Sequence, residues 1–143
     1  MPRLGLLNMA IGFFVLFFAA CAGAFVSFDL TEAYLRDTTQ LHTWRTMLLS
    51  SAHGHTNLFG MLHIALGLTL PYSPLSAKIK TWQTAGLFAG VIAMGPLLMV
   101  RSAFGPSESL EGIGLVIGAL LSLSLLTLAS HSAALIYRFV KAA

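Results

Sequence analysis

Ser50-Ser51-Ala52-His53-Gly54-His55-Thr56-Asn57-Leu58-Phe59-Gly60-Met61-Leu62-His63 lies in an apolar run that continues to Leu70. No Asp, Glu, Lys or Arg falls between Arg45 and Lys78. A stretch of that length and character predicts a membrane-spanning helix over 46–70. Imidazoles are costly to hold inside such a helix and point to a ligand site or a proton path.

The rest of the chain has the same character. Of its 143 residues, 57% are hydrophobic and 9% charged, with a mean hydropathy of +0.83. A soluble domain carries about 25% charged residues, so a lipid bilayer is the expected surroundings. The apolar runs are continuous and lack the alternation of a membrane barrel. The expected fold is all-α, an integral membrane four-helix bundle in one domain, with spans at about 6–28, 46–70, 81–100 and 111–137.

Arg3, an apolar stretch and Ala20-Cys21-Ala22-Gly23-Ala24 resemble a signal peptide. The apolar run from Leu4 to Phe28 is too long for one, which predicts a retained first helix. A polar segment, 29–45, follows, with a short interfacial helix expected near 30–36. Pro71-Tyr72-Ser73-Pro74 ends the second span, and Gly95-Pro96 is expected to kink the third. The lone Cys21 excludes a disulfide or a thiolate zinc site within one chain.

Four spans place both termini on one side, with Arg3, Lys78, Lys80, Arg138 and Lys141 and no acidic residue. The other side carries Arg36, Arg45, Arg101 and all five acidic residues. The asymmetry makes the termini cytoplasmic, in what reads as a bacterial inner membrane. The basic residues flank spans rather than forming a patch, so nucleic acid is not an expected partner.

Gly86 and Gly90, and Gly114 and Gly118, have the spacing that lets helices approach closely. Gly60 and Gly67 share a face of the second span with His53, Asn57 and Ile64. Such a face suits helix packing or leaves room for a flat cofactor.

Imidazole binds haem iron axially, and membrane b-type cytochromes hold the ring between helices. His53 and His55 are two apart and point to nearly opposite sides, so both cannot ligate one haem. His53 shares its face with Asn57 and Gly60 and is the preferred ligand, with His55 next. His63 and His131 lie at similar depth and are candidates for a second axial ligand or a proton relay, and His42 is a candidate partner of His53 if the outer loop folds back. Arg45 and Arg101 are placed to bind propionates. The alternative is copper or zinc held by His42, His53 and His55. A further alternative is a non-catalytic helical subunit whose histidines join helices. A homo-oligomer, in which a twofold axis brings two imidazoles together, or a subunit of a respiratory-type complex fits each reading. Short loops favour an accessory or electron-transfer subunit over a separate enzyme.

Ala52-His53-Gly54, followed by Phe59 and Gly60, resembles the second transmembrane helix of haem–copper oxidase subunit I. His55-Thr56-Asn57-Leu58 is similar to the matching stretch of the nitric oxide reductase branch. The two alignments are offset by two residues, so the resemblance does not choose between His53 and His55. It implies an axial histidine for a low-spin haem near the outer end of this helix, and haem b is the cofactor expected on the b-type reading. It also implies arginines near the propionates; a haem subunit of this kind would exchange electrons with a quinone or cytochrome. It covers one helical segment and does not imply oxygen or nitric oxide reduction.

Overall fold

The computed structural model describes residues 3–39, 43–106 and 112–142, and all regular structure among them is helical. Helix α1 runs Arg3–Arg36 and α2 Trp44–Thr69. A 3₁₀ turn, Leu70–Tyr72, ends α2. Helix α3, Ala77–Ile92, passes through a π-helical turn, Ala93–Leu97, into the short α4, Leu98–Ser102. Helix α5 spans Ile113–Ala142.

Three of these segments are long and apolar enough to cross a bilayer: α1, the 77–102 segment and α5. Their outward residues suit lipid. Phe13, Phe14, Phe17, Phe18 and Phe25 stand exposed along α1, a surface that water would not tolerate on a monomer. Helix α2 has 26 residues, long enough by length, but its histidines, Asn57 and hydroxyl residues dilute its apolar character.

Helix α1 departs from expectation. It has 34 residues, about 51 Å at ~1.5 Å each, against a hydrocarbon core of ~30 Å. There is no break near residue 28 and no separate interfacial helix. No Pro or Gly interrupts 25–36. The Thr31 hydroxyl donates to the Ser27 carbonyl, and Arg36 pairs with Glu32 one turn earlier, so the polar tail continues the helix.

Thr43 caps α2, its hydroxyl accepting the Thr46 amide at 3.3 Å, and Ser76 caps α3 through the Ile79 amide at 3.4 Å. At the other expected break, Pro96 has no amide hydrogen to complete an α-helical turn, and the helix widens into its π turn there.

Glycine sets how α1 and α2 meet. A Cβ on Gly67 would stand 2.6 Å from the Gly5 carbonyl oxygen, and one on Gly12 would stand 2.6 Å from the Gly60 carbonyl oxygen. The two backbones therefore touch, and the Gly60–Gly67 face is filled by α1. On α3, Gly86 leaves room for the Thr127 side chain of α5, and Gly90 for the side chains of Phe59 of α2 and Ser124 of α5. Gly118 meets nothing within 4 Å. Val15, Phe59, Leu66, Leu70, Leu87 and Val91 form the apolar core between these contacts.

The contacts place Gly5, Thr69, Gln83 and His131 toward one end, which also holds Arg138, bonded to the Tyr72 carbonyl at 2.7 Å. This is the basic end. Residues 29–39, 43–45, 101–106 and 112 belong to the opposite, loop end.

Candidate functional site

The polar chemistry divides between the two ends. Toward the basic end, Asn8 of α1 is fully buried. Its Nδ2 donates to the Leu4 carbonyl at 2.9 Å and to Thr84 Oγ1 of α3 at 2.8 Å. The Thr84 hydroxyl donates onward to the Lys80 carbonyl at 3.1 Å. Asn8 Oδ1 is left to accept, and His63 Nδ1 lies 3.0 Å from it. That accounting puts the proton on His63 Nδ1 and a lone pair on Nε2. Nε2 is buried with no partner, and the ring stands edge-on to Phe88 at 6.2 Å. One amide thus ties three helices together.

His131 of α5 forms a second tie. Its Nε2 lies 2.8 Å from Thr69 Oγ1 of α2, and its Nδ1 lies 3.3 Å from Gln83 Oε1 of α3. Gln83 Nε2 donates to Ser130 at 3.0 Å. The Thr69 hydroxyl gives its one proton to the Ala65 carbonyl at 2.7 Å, so its oxygen is left to accept from His131 Nε2.

Nearer the loop end, the histidines of α2 bond only within their own helix. His55 Nδ1 lies 2.8 Å from the Ser51 carbonyl and 3.3 Å from the Ser51 hydroxyl. A carbonyl only accepts, so Nδ1 carries the proton and Nε2 presents its lone pair away from that bond. Nε2 makes no bond among the described residues, and the side chain is half-buried. His53 is held differently. Its ring lies on Gly23 of α1, where a Cβ would stand 2.8 Å from Nδ1. Nε2 is 3.3 Å from the Asn57 amide nitrogen, and Nδ1 is buried without a partner.

Several residues singled out in the sequence are therefore brought together and others are not. His53 and Asn57 meet. Gly60 packs against α1 rather than leaving room for a ring. His63 and His131 do not bond one another; each is joined to amide or hydroxyl groups of other helices. Arg45 pairs with Asp29 at 3.2 Å. Arg101 donates to the Gly105 carbonyl at 2.8 Å and stands over the Trp44 ring at 5.1 Å. His42 lies outside the described residues, as do Glu108 and Glu111. Among the described residues no three His, Cys, Asp or Glu side chains gather as a metal site would need.

An apolar groove of about 320 Å³ runs between α1 and α3, walled by Phe14, Phe18, Phe88 and Met99 with Thr56 at its floor. No imidazole lines it. A ring lying there would receive no axial nitrogen from the described residues. Among the described residues, His55 is the imidazole held by a backbone carbonyl of its own helix, as ligating imidazoles often are, with Nε2 unbonded.

Asn8, Gln83 and Thr84 did not stand out in the sequence. The signal for Asn8 was present: it is the one carboxamide in the apolar run from Leu4 to Phe28. A carboxamide in such a run needs a partner on another helix.

No family model, curated protein or solved structure matches this chain.

Proposed function

We propose that this chain is a four-span subunit of a bacterial inner-membrane assembly, with cytoplasmic termini, and that His55 is one axial ligand of a b-type haem. The second imidazole comes from another copy or a neighbouring subunit. The observation that supports this is the bond from His55 Nδ1 to the Ser51 carbonyl, with Nε2 left unengaged. Such a bond fixes both ring orientation and tautomer, the two things a ligating imidazole needs. A haem bound there would supply one-electron transfer, with a quinone or cytochrome as exchange partner.

The other residues take roles around that nitrogen. Ser51 holds the ring. His53 fills the space over Gly23 and keeps α1 against α2 at the same level. Arg45 is paired with Asp29, but both side chains are largely exposed, at 64% and 41%. An exposed pair of this kind contributes little, so Arg45 can turn to a propionate.

A second reading is favoured by the His63–Asn8 and His131–Gln83 contacts: a helical subunit whose histidines join helices and bind no cofactor. The two readings concern different histidines and are separated by one measurement. The protein, purified in mild detergent from haem-replete cells, should give a reduced-minus-oxidised spectrum with a sharp b-type α band. His55→Ala should abolish that band and His53→Ala should leave it. A colourless protein carrying stoichiometric copper or zinc gives the site to a bare metal ion. A colourless, metal-free protein leaves the helix-joining reading. Retention of the normal low-spin band in His55→Ala would falsify the ligand assignment.

A further inference from the structure

We propose that the groove between α3 and α5 at the basic end is a site for one anionic phospholipid. The groove has a volume of about 290 Å³ and is walled by Trp82, Gln83, Gly86, Leu126 and Ser130. Its chemistry changes along its length. Gln83 and Ser130 lie toward the basic end and Gly86 and Leu126 toward mid-membrane, as their order along α3 and α5 dictates. The polar pair is already bonded to itself, Gln83 Nε2 to Ser130 Oγ at 3.0 Å. It makes a mildly polar shelf rather than an orphaned group.

Cations lie beyond the groove at the basic end of both helices. Lys78 is exposed one turn before Trp82 on α3. On α5, Tyr137 follows Ser130 by two turns, and the Lys141 ammonium stands 4.8 Å from the Tyr137 ring centre. Among the described residues the ion pairs are Arg36–Glu32 and Arg45–Asp29, and neither lysine takes part in one. Among the described residues the acidic side chains are Asp29, Glu32 and Asp37, at the opposite end of α1. Trp82 is 68% exposed beside the groove, in keeping with a ring at the lipid boundary.

The order from mouth to interior is ammonium, then amide and hydroxyl, then methyl and methylene. That is the order of a phospholipid: phosphate, ester, acyl chain. Charge complementarity selects an anionic headgroup, since lysines at a membrane surface attract anionic lipid and basic clefts between spanning helices hold such headgroups. The site is independent of any cofactor at His55.

Native mass spectrometry of the purified chain in detergent, with phosphatidylglycerol or phosphatidylcholine added, tests this. One phosphatidylglycerol per chain should survive activation that strips phosphatidylcholine. The Lys78→Ala/Lys141→Ala variant should bind phosphatidylglycerol roughly thirtyfold more weakly. Ala85→Phe, which fills the groove from its exposed wall, should lose the lipid while helicity is kept. Inorganic phosphate should not compete. Equal retention of both lipids, undiminished binding in either variant, or displacement by phosphate alone overturns the proposal.

Discussion

The two halves of α2 hold their imidazoles in opposite ways. Toward the basic end, His63 and the Thr69–His131 contact reach across to other helices. Nearer the loop end, the hydrogen bonds of His53 and His55 among the described residues all lie on α2 itself. In lipid there is no hydrophobic drive to bring helices together, so packing and interhelical polar contacts must do it. Histidine at one end therefore reads as a helix joint. At the other end the His55 ring is bonded to its own turn, and its Nε2 makes no bond among the described residues.

The contrast extends to glycine and gives the largest expected effect. Gly67→Leu pushes a side chain into the Gly5 carbonyl oxygen and the Met9 amide nitrogen, 2.6 and 3.0 Å from a Cβ there. Backbone cannot give way as a side chain would, so α1 must lift off α2. The expected loss is about 3 kcal/mol or more, measured as the midpoint shift in unfolding by SDS followed by circular dichroism. Gly54→Leu, on the same helix with nothing within 4 Å, should change stability by no more than about 1 kcal/mol, and in the stabilising direction. Equal losses at the two sites would erase the distinction between the ends.

Next in size is the Asn8–His63 joint. Asn8→Leu removes the acceptor of the His63 proton and the donor to Thr84 together. About 1–3 kcal/mol should be lost, because the buried imidazole then has no partner at either nitrogen. His63→Leu alone strands only Asn8 Oδ1 and should cost less. The double variant should cost clearly less than the sum of the two, a coupling that a double-mutant cycle reads directly. Additive losses would mean that the two residues act independently and the joint is not what holds α1 in place.

Much of this was legible before any coordinates. The apolar runs locate the long helices, Gly95-Pro96 marks the break between α3 and α4, and the Gly60–Gly67 face identifies where α2 meets a neighbour. What was hidden follows from distance in sequence. The partner of His63 lies 55 residues away, and no periodicity within α2 names it. The face of α2 that carries Gly60 suits a flat ring as well as a helix, and only the position of Gly12 on α1 decides between them. The continuation of α1 past Phe28 was obscured by reading Asp29, Glu32 and Arg36 as a change of element. A helix tolerates such residues outside the hydrocarbon when they pair one turn apart. His53 and His55 were distinguishable only by what they touch: one lies on Gly23, the other only on its own turn.

The smallest stability effect is expected where the largest functional one is proposed. His55 bonds to Ser51 within the same turn, so His55→Ala removes no contact between helices. It should alter the unfolding midpoint by no more than about 0.5 kcal/mol, as substitutions away from interhelical contacts do. His53→Ala is a different test on the neighbouring face. It opens a gap over Gly23 but also removes a buried nitrogen that has no partner. Those terms oppose one another, leaving a loss of about 1 kcal/mol. The decisive comparison is therefore between two readouts on one pair of variants. If His55 serves something beyond this chain, His55→Ala keeps the fold and loses the spectrum, while His53→Ala weakens the fold and keeps it. A His55→Ala protein that unfolds as readily as His63→Leu would place His55 among the helix joints and make the two ends of α2 alike.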